Sequence, residues 1–208
     1  MKNAISFEGE ELYPSKIVCV GRNYLAHIQE LNNEIPTEPV IFIKPNSSIA
    51  HDMWNHEYDD IHYEGEISFL VKSGELVGVG FGLDLTKRDI QSELKKKGLP
   101  WERAKAFDRS AVFSSFVRIT DDVEDLRMEL YINDKLKQDA GCSLMIYKPF
   151  SLVKEINTFL SLDDGDIIMT GTPSGVGVIN DGDKFVGKIF GKDTLLVEGS
   201  WVVKRKIY

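Results

Sequence analysis

Hydrophobic and polar positions alternate most strictly between residues 77 and 85. Val77, Val79, Phe81, Leu83 and Leu85 fall on one side of an extended chain, and Gly78, Gly80, Gly82 and Asp84 fall on the other. This period of two predicts a strand. A stripe of glycines weakens a strand unless another backbone or a ligand approaches closely, so the glycine side is expected to be covered, with Asp84 closing it. Residues 64–71 alternate in the same way, with Glu64, Glu66 and Ser68 on one side and Ile67, Phe69 and Val71 on the other.

The remaining pattern predicts short elements. Residues 16–20 and 40–43 are apolar runs expected to be buried strands, and 167–169 is a third. A helix over 23–31 carries Leu25, Ile28 and Leu31 as its apolar stripe and Asn23, His27 and Glu30 on the opposite side. Thr86 and Asp89 are spaced as a capping box for a helix that continues through Ile90 and Leu94 and ends at Gly98-Leu99-Pro100. A hairpin is expected where 127–132 and 136–138 flank Asn133-Asp134-Lys135, and a helix over 151–160 with Val153, Ile156 and Phe159 on one side. Residues 46–60 lack a period and read as a loop, and 184–208 reads as short strands between turns. With no repeat, low-complexity tract or linker, the 208 residues are expected to form one domain over 1–208.

Chemistry enters through the acids. Glu64 and Glu66 are like charges one pleat apart, and on a buried face they require a cation between them, for which a hard divalent metal such as Mg²⁺ is suited. With Asp84 on the neighbouring strand they would make an open three-oxygen site; an amphipathic strand with its Glu face in water is the alternative. His27 and Glu30, at i and i+3, make either a general base with an orienting carboxylate or a surface pair. Lys105 reaches an anionic substrate or is a solvated side chain. In residues 170–177, Thr-Gly-Thr-Pro-Ser-Gly-Val-Gly, backbone amides and hydroxyls are available to hold a carboxylate, or the segment is a plain turn. It is neither a P-loop nor a dinucleotide fingerprint, because no Gly-Lys-Ser/Thr occurs and no helix pattern follows.

Composition narrows the classes. Asp and Glu (33) outnumber Lys and Arg (25), a formal charge of −8, which argues against nucleic-acid binding and fits a protein acting on small molecules. No apolar run approaches membrane-spanning length, and residues 1–11 carry no basic stretch followed by an apolar core, so no membrane partner and a cytoplasmic location are expected. Cys19 and Cys142 have no paired spacing and are expected to be reduced thiols.

Taken together, the chain resembles the fumarylacetoacetate hydrolase family, in particular its short acylpyruvase and oxaloacetate decarboxylase branch. The resemblance rests on Val20-Gly21-Arg22-Asn23-Tyr24 with His27 and Glu30, Phe42-Ile43-Lys44-Pro45, His62-Tyr63-Glu64-Gly65-Glu66, Leu83-Asp84-Leu85-Thr86-Lys87-Arg88-Asp89-Ile90-Gln91, Lys97-Gly98-Leu99-Pro100-Trp101 through Lys105, and Thr170-Gly171-Thr172-Pro173 with Gly175 and Gly177. These blocks occur in family order over nearly the whole chain. The resemblance implies an α+β fold around a large mixed, rolled β-sheet with a few short helices, and a homodimer. It implies Glu64, Glu66 and Asp84 as ligands for Mg²⁺ or Mn²⁺, His27 and Glu30 as a catalytic dyad, and Lys105 as the active-site lysine. Arg22, Arg88, Gln91 and Thr172 fall in motifs that line the family's substrate pocket. The turn at Lys72-Ser73-Gly74-Glu75 is shorter than in many relatives and is expected to alter the pocket rim.

The expected activity is cleavage of acylpyruvate-type 2,4-dioxo acids to pyruvate and a carboxylate, because a His–Glu dyad is superfluous for decarboxylation alone. Oxaloacetate decarboxylation and 2-oxo-acid isomerisation are alternatives on the same site. A non-catalytic protein binding a metal or a 2-oxo acid is the alternative of another class.

Overall fold

The protein is described from a computed structural model over residues 2–55 and 59–205. Residues 56–58 of the expected 46–60 loop and 206–208 of the expected C-terminal strands lie outside the described residues. The fold is α+β with a large mixed, curled sheet and few helices, as expected. Among the described residues the large sheet has the order Val40–Pro45, Lys16–Gly21, Ile167–Met169, Gly65–Lys72, Glu75–Asp84, Ala111–Phe113, Ile49–Ala50, with Val117–Arg118 also paired to Glu75–Asp84. Ile167–Met169 runs parallel to Lys16–Gly21 and antiparallel to Gly65–Lys72, which makes the sheet mixed. A second, antiparallel sheet joins Lys135–Gly141, Leu126–Ile132, Lys184–Gly191 and Thr194–Val202.

Gly65–Lys72 is buried along both faces, from Gly65 to Val71. Ile67 and Phe69, with Val79, Phe81 and Leu83 of the neighbouring strand, pack in the main core against Met128, Leu130, Phe185, Ile189 and Trp201 of the second sheet. On the opposite face Leu70 joins Ile17, Cys19, Phe116, Ile167 and Met169. Two-sided burial explains why these segments are so rich in β-branched and aromatic residues. The glycine stripe is covered by side chains: Phe7 over Gly78, Phe116 over Gly80, and Ser68, Met169 and Phe113 over Gly82. A Cβ on Gly80 would lie 3.1 Å from the Phe116 ring, and one on Gly78 2.9 Å from Phe7.

Several local expectations change under tertiary packing. Val40–Pro45 is an edge strand whose Val40 to Ile43 are only half-buried, while Lys44 is fully buried. The first helix, α1, spans Leu25–Glu30 and buries His27 and Ile28, whereas Leu25 of the expected apolar stripe is exposed. Helix α2 spans Arg88–Lys96 and helix α3 spans Glu102–Lys105. Lys87, not Thr86, caps α2, and no side chain closes a capping box there. Helix α4, Pro149–Ile156, starts and ends earlier than expected, burying Val153 and Ile156 and leaving Phe159 beyond it exposed. The expected loop over 46–60 contains a turn of 3-10 helix at Asn46–Ser48 and the short strands Ile49–Ala50 and Trp54–Asn55. The hairpin forms with Asn133 and Asp134 both at positive φ, 49° and 62°, which the sterically tolerant Asn-Asp pair adopts readily. Among the described residues no helix is long and apolar enough to cross a membrane.

Asp166 locks the parallel pair of strands at its start. Its Oδ1 accepts hydrogen bonds from the amides of Ser15 and Lys16 at 3.0 and 3.1 Å and from Ser15 Oγ at 2.8 Å, and its Oδ2 accepts from the Asp163 amide at 2.9 Å and from Lys16 Nζ. Burial raises the carboxyl pKa, but the Lys16, Asp163 and Ser15 donors lower it by more, and the net direction is down. Asp166→Asn should destabilise the protein by about 3 kcal/mol near neutral pH, because buried donors lose their acceptor. Since the folded pKa is depressed, this contribution is complete above the unfolded Asp value of about 3.9 and is lost as pH falls through the folded one. Urea denaturation should therefore show the difference between wild type and variant at pH 7 and its shrinkage below pH ~4; an equal difference at all pH values would contradict the assignment.

Candidate active site

Strand register assembles the acids. Glu66 lies opposite Gly82, and the Asp84 amide donates to the Glu64 carbonyl at 2.9 Å, so Asp84 faces Glu64 across the ladder. Glu64 itself stands at the junction between Ile61–Tyr63 and Gly65–Lys72, just outside the strand expected to contain it. One carboxylate oxygen from each of Glu64, Glu66 and Asp84 lies within 4.8 Å of the others, and the residues are 6, 2 and 1% exposed. A water-facing Glu stripe is therefore excluded.

Three cations answer this charge. Lys105 Nζ donates to Glu64 Oε2 and Asp84 Oδ2, both at 2.7 Å, and to Thr86 Oγ1 at 2.6 Å, which commits all three of its protons. Thr86 is thus spent on Lys105, the reason it does not cap α2. Lys44 Nζ, with no exposed surface, reaches Asp84 Oδ1 at 2.8 Å and donates to the carbonyls of Leu85, Ser110 and Lys105. Arg88 pairs with Glu64 Oε1 and donates to Gln91 Oε1 at 2.8 Å. Burial raises the Glu64 pKa, but Lys105 and Arg88 more than offset it and the net direction is down. Among the described residues Glu66 has no lysine or arginine ion-pair partner; burial, then Asp84 and Glu64, hold its carboxyl well above the usual range.

The His27–Glu30 pair and the glycine-containing loop meet beside these acids. His27 is 6% exposed, and its Nδ1 lies 3.2 Å from Glu30 Oε2. The loop over 170–177 does hold carboxylates, but they are the chain's own: the Gly171 amide donates to Glu66 Oε2 at 2.7 Å and the Gly175 amide to Glu30 Oε1 at 2.9 Å. Gly171 and Gly175 have φ of 96° and 100°, a conformation reserved for glycine where the amide must turn inward. Thr172 accepts at Oγ1 from Gln138 Nε2 at 2.8 Å.

A narrow cavity of about 30 Å³ collects these groups. Arg22, His27, Glu64, Glu66, Asp84, Arg88, Gln91, Lys105 and Thr172 all line it, and Glu30 supports it through His27. Arg22 reaches it from a left-handed backbone, φ 57°, at the end of Lys16–Gly21, and it has no hydrogen-bond or ion-pair partner among the described residues. Residues without an assigned role in the sequence reading also belong here. Lys44 stands in the sequence as the lysine closing an apolar run, within one of the motifs that carry the resemblance; Gln138, whose Oε1 accepts from the Gly65 amide at 2.9 Å, is hidden in a hairpin strand. Lys95 lines the cavity from α2, donating to Asn33 Oδ1 at 2.9 Å over the Trp101 ring. Burial, then Arg22 and Arg88, lower its pKa.

The donor set fits a hard divalent cation. It consists of carboxylate oxygens alone, and Asp84 Oδ1 is buried with no aligned hydrogen bond. Glu66→Gln keeps the shape and the acceptor for the Gly171 amide while removing one negative charge. Mg²⁺ affinity by calorimetry should fall about 10-fold or more, and the thermal midpoint in chelator should stay equal or rise because like-charge repulsion is relieved. An unchanged Mg²⁺ affinity would remove Glu66 from the metal site.

Comparison with known proteins identifies the family. Residues 16–203 match the family model described as fumarylacetoacetate (FAA) hydrolase C-terminal. The chain is 37% identical to the oxaloacetate tautomerase YcgM of Escherichia coli over 192 residues, 83% of this chain and 87% of that protein. It is 36% identical to the mitochondrial oxaloacetate tautomerase FAHD1 of Mus musculus over 209 residues, 92 and 93% of the two chains. The crystal structure of fumarylpyruvate hydrolase from Pseudomonas aeruginosa in complex with Mn²⁺ and pyruvate superposes with a TM-score of 0.88 at 27% identity, covering 99% of this chain and 97% of that one. With its fold, its buried carboxylate cluster and a family match over nearly its full length, the chain belongs to the fumarylacetoacetate hydrolase family of enzymes.

Proposed function

We propose that the protein interconverts the keto and enol forms of oxaloacetate, using Mg²⁺ or Mn²⁺ held by Glu64, Glu66 and Asp84. The observation that carries this reading is a buried histidine, fixed through one ring nitrogen by Glu30, facing the same cavity as the three acids. Relatives that align with more than four-fifths of the chain carry that activity in their names. A divalent cation at the acids supplies Lewis acidity at the 2-oxo group.

The chain's own residues do the proton work. With Nδ1–H held by Glu30, His27 presents Nε2 as the base that takes a proton from C3, and the C3–H electron pair moves to the C2–C3 bond while the carbonyl pair moves onto oxygen. His27 then returns the proton to that oxygen, which completes an isomerisation with no net change in composition. Glu30 stabilises the imidazolium formed in between, and its own position is set by the Gly175 amide. Arg88, ordered by Glu64 and Gln91, and Arg22, without a partner among the described residues, supply positive charge to an anionic substrate.

Acylpyruvate hydrolysis is the second reading, favoured by the likeness to the fumarylpyruvate hydrolase. It needs the same polarised 2-oxo group and the same dyad, but His27 would deprotonate water for attack on the distal carbonyl. Loss of CO₂ from oxaloacetate needs no attacking water and is expected as a lesser activity.

The test is kcat/KM of the purified protein with Mg²⁺ for enol-oxaloacetate ketonisation, for fumarylpyruvate hydrolysis and for CO₂ release. Ketonisation should dominate, and His27→Ala should lower its kcat by roughly 10² or more, the usual contribution of general acid–base catalysis. Glu30→Gln should cost less, since an amide oxygen still accepts from Nδ1–H. Efficient release of fumarate and pyruvate without ketonisation would establish the hydrolase reading in its place; ketonisation at the wild-type rate in His27→Ala would remove the dyad from the mechanism.

A further inference from the structure

The cations around the cavity fall into two sets. Lys44, Lys105 and Arg88 are each paired with a carboxylate of the acid cluster. Lys95 and Arg22 are not. Among the described residues, Lys95 Nζ has one hydrogen-bond partner, the neutral Asn33 Oδ1, and rests over the Trp101 ring at 5.8 Å from its centroid. Arg22 has no ion-pair partner, and its Nε is buried without a hydrogen bond. A half-buried ammonium with no counter-anion is costly, and here the two unpaired cations face one another's cavity in a chain of net charge −8, where carboxylates to pair with them are abundant.

Their place in the fold says what they would meet. The narrow cavity at the acids adjoins a wider one of about 260 Å³ between α2 and the end of α1, and Lys95 lines both. An acid whose 2-oxo end sits at the carboxylate cluster therefore directs its far end toward Lys95 and Arg22. The Asn33 amide and the indole hold the ammonium in position without neutralising it, so a second carboxylate can take its charge.

We infer that Lys95, with Arg22, is the recognition site for the distal carboxylate of the substrate, and that this pair selects 2-oxo dicarboxylates over monocarboxylates of the same length. This deepens the proposed function and rests on its placement of the 2-oxo end at the acids. Lys95 is a specificity-determining residue in this reading; it moves no proton.

The experiment separates the subsite from the reaction by using unreactive acids. L-Malate and L-2-hydroxybutyrate differ by a carboxylate in place of a methyl group, and their affinities are measured by calorimetry with Mg²⁺ for the wild type, Lys95→Met and Lys95→Arg. The wild type should favour malate, Lys95→Met should reduce that preference roughly 10- to 100-fold, the worth of a charge-assisted hydrogen bond, and Lys95→Arg should retain most of it. In turnover, Lys95→Met should raise KM for oxaloacetate far more than it lowers kcat. A malate preference that survives in Lys95→Met overturns the inference, and if its thermal midpoint falls as well, Lys95 is a structural tether to Asn33. If the wild type turns over oxaloacetate while that preference survives, only the subsite is wrong. If the wild type turns over no 2-oxo acid yet loses its malate preference with Lys95, the subsite stands and the proposed reaction fails.

Discussion

Mutual repulsion among three buried carboxylates is the constraint around which the rest of the site is arranged. Glu64, Glu66 and Asp84 are brought together by backbone pairing, which is indifferent to their charge, and the cost of that proximity falls on the surroundings. Three cations meet it, each from a different element: Lys44 from the edge strand, Arg88 from the start of α2 and Lys105 from the end of α3. Buried ion pairs of this kind contribute little net stability, yet removing either partner is expensive. The cluster therefore acts as a specification of where the edge strand and two short helices must dock, and neither α2 nor α3 is long enough to hold its place by intrinsic helicity.

The same acids are tied to the base through one loop. Residues 170–177 leave Ile167–Met169 and turn one amide to Glu66 and another to Glu30. Gln138 fastens this loop from the second sheet, bonding Thr172, Pro173 and the Gly65 amide. A displacement of the loop would move Glu66 of the acid cluster and the carboxylate bonded to His27 together. The His27–Glu30 pair on α1 and the acid cluster on the strands are in this sense a single mechanical unit.

How much of this was legible in the sequence depended on whether local chemistry or distant contacts decided the outcome. The paired strands 64–71 and 77–85 and the convergence of Glu64, Glu66 and Asp84 follow from a period of two, which survives any tertiary context that keeps the register. The 133–134 turn was equally local. By contrast, Thr86 has the spacing of a cap, but Lys105 claims its hydroxyl from nineteen residues away. Lys44 looked like the polar end of an apolar strand and is the most buried lysine of the site, because three carbonyls and Asp84 converge on it from other segments. Leu25 and Phe159 completed helical stripes on paper and are exposed, since α1 and α4 are shorter and turned differently from their pattern. The glycines at 78, 80 and 82 announced a close approach without naming Phe7, Phe116 and Ser68 as what approaches.

That one arrangement could serve tautomerisation, hydrolysis and decarboxylation, as the proposed function has it, has a simple origin. Each reaction passes through negative charge on the oxygen of a 2-oxo acid, so each would draw on the acid cluster and a divalent cation held there; they diverge only in which bond at C3 is broken. What distinguishes them must then lie in the groups around the distal half of the substrate, outside the cluster. Hydrolysis requires a water held between His27 and a carbonyl that can depart as a carboxylic acid, whereas tautomerisation requires that the distal group be held still while C3 loses and C2 oxygen gains a proton. A distal carboxylate clamped by fixed cations satisfies the second requirement and also resists loss of CO₂, because decarboxylation discharges the very group that Lys95 and Arg22 would favour in its charged form. On the inference drawn above, charge left over after the acids are balanced carries the choice between reactions that the acid cluster alone cannot make.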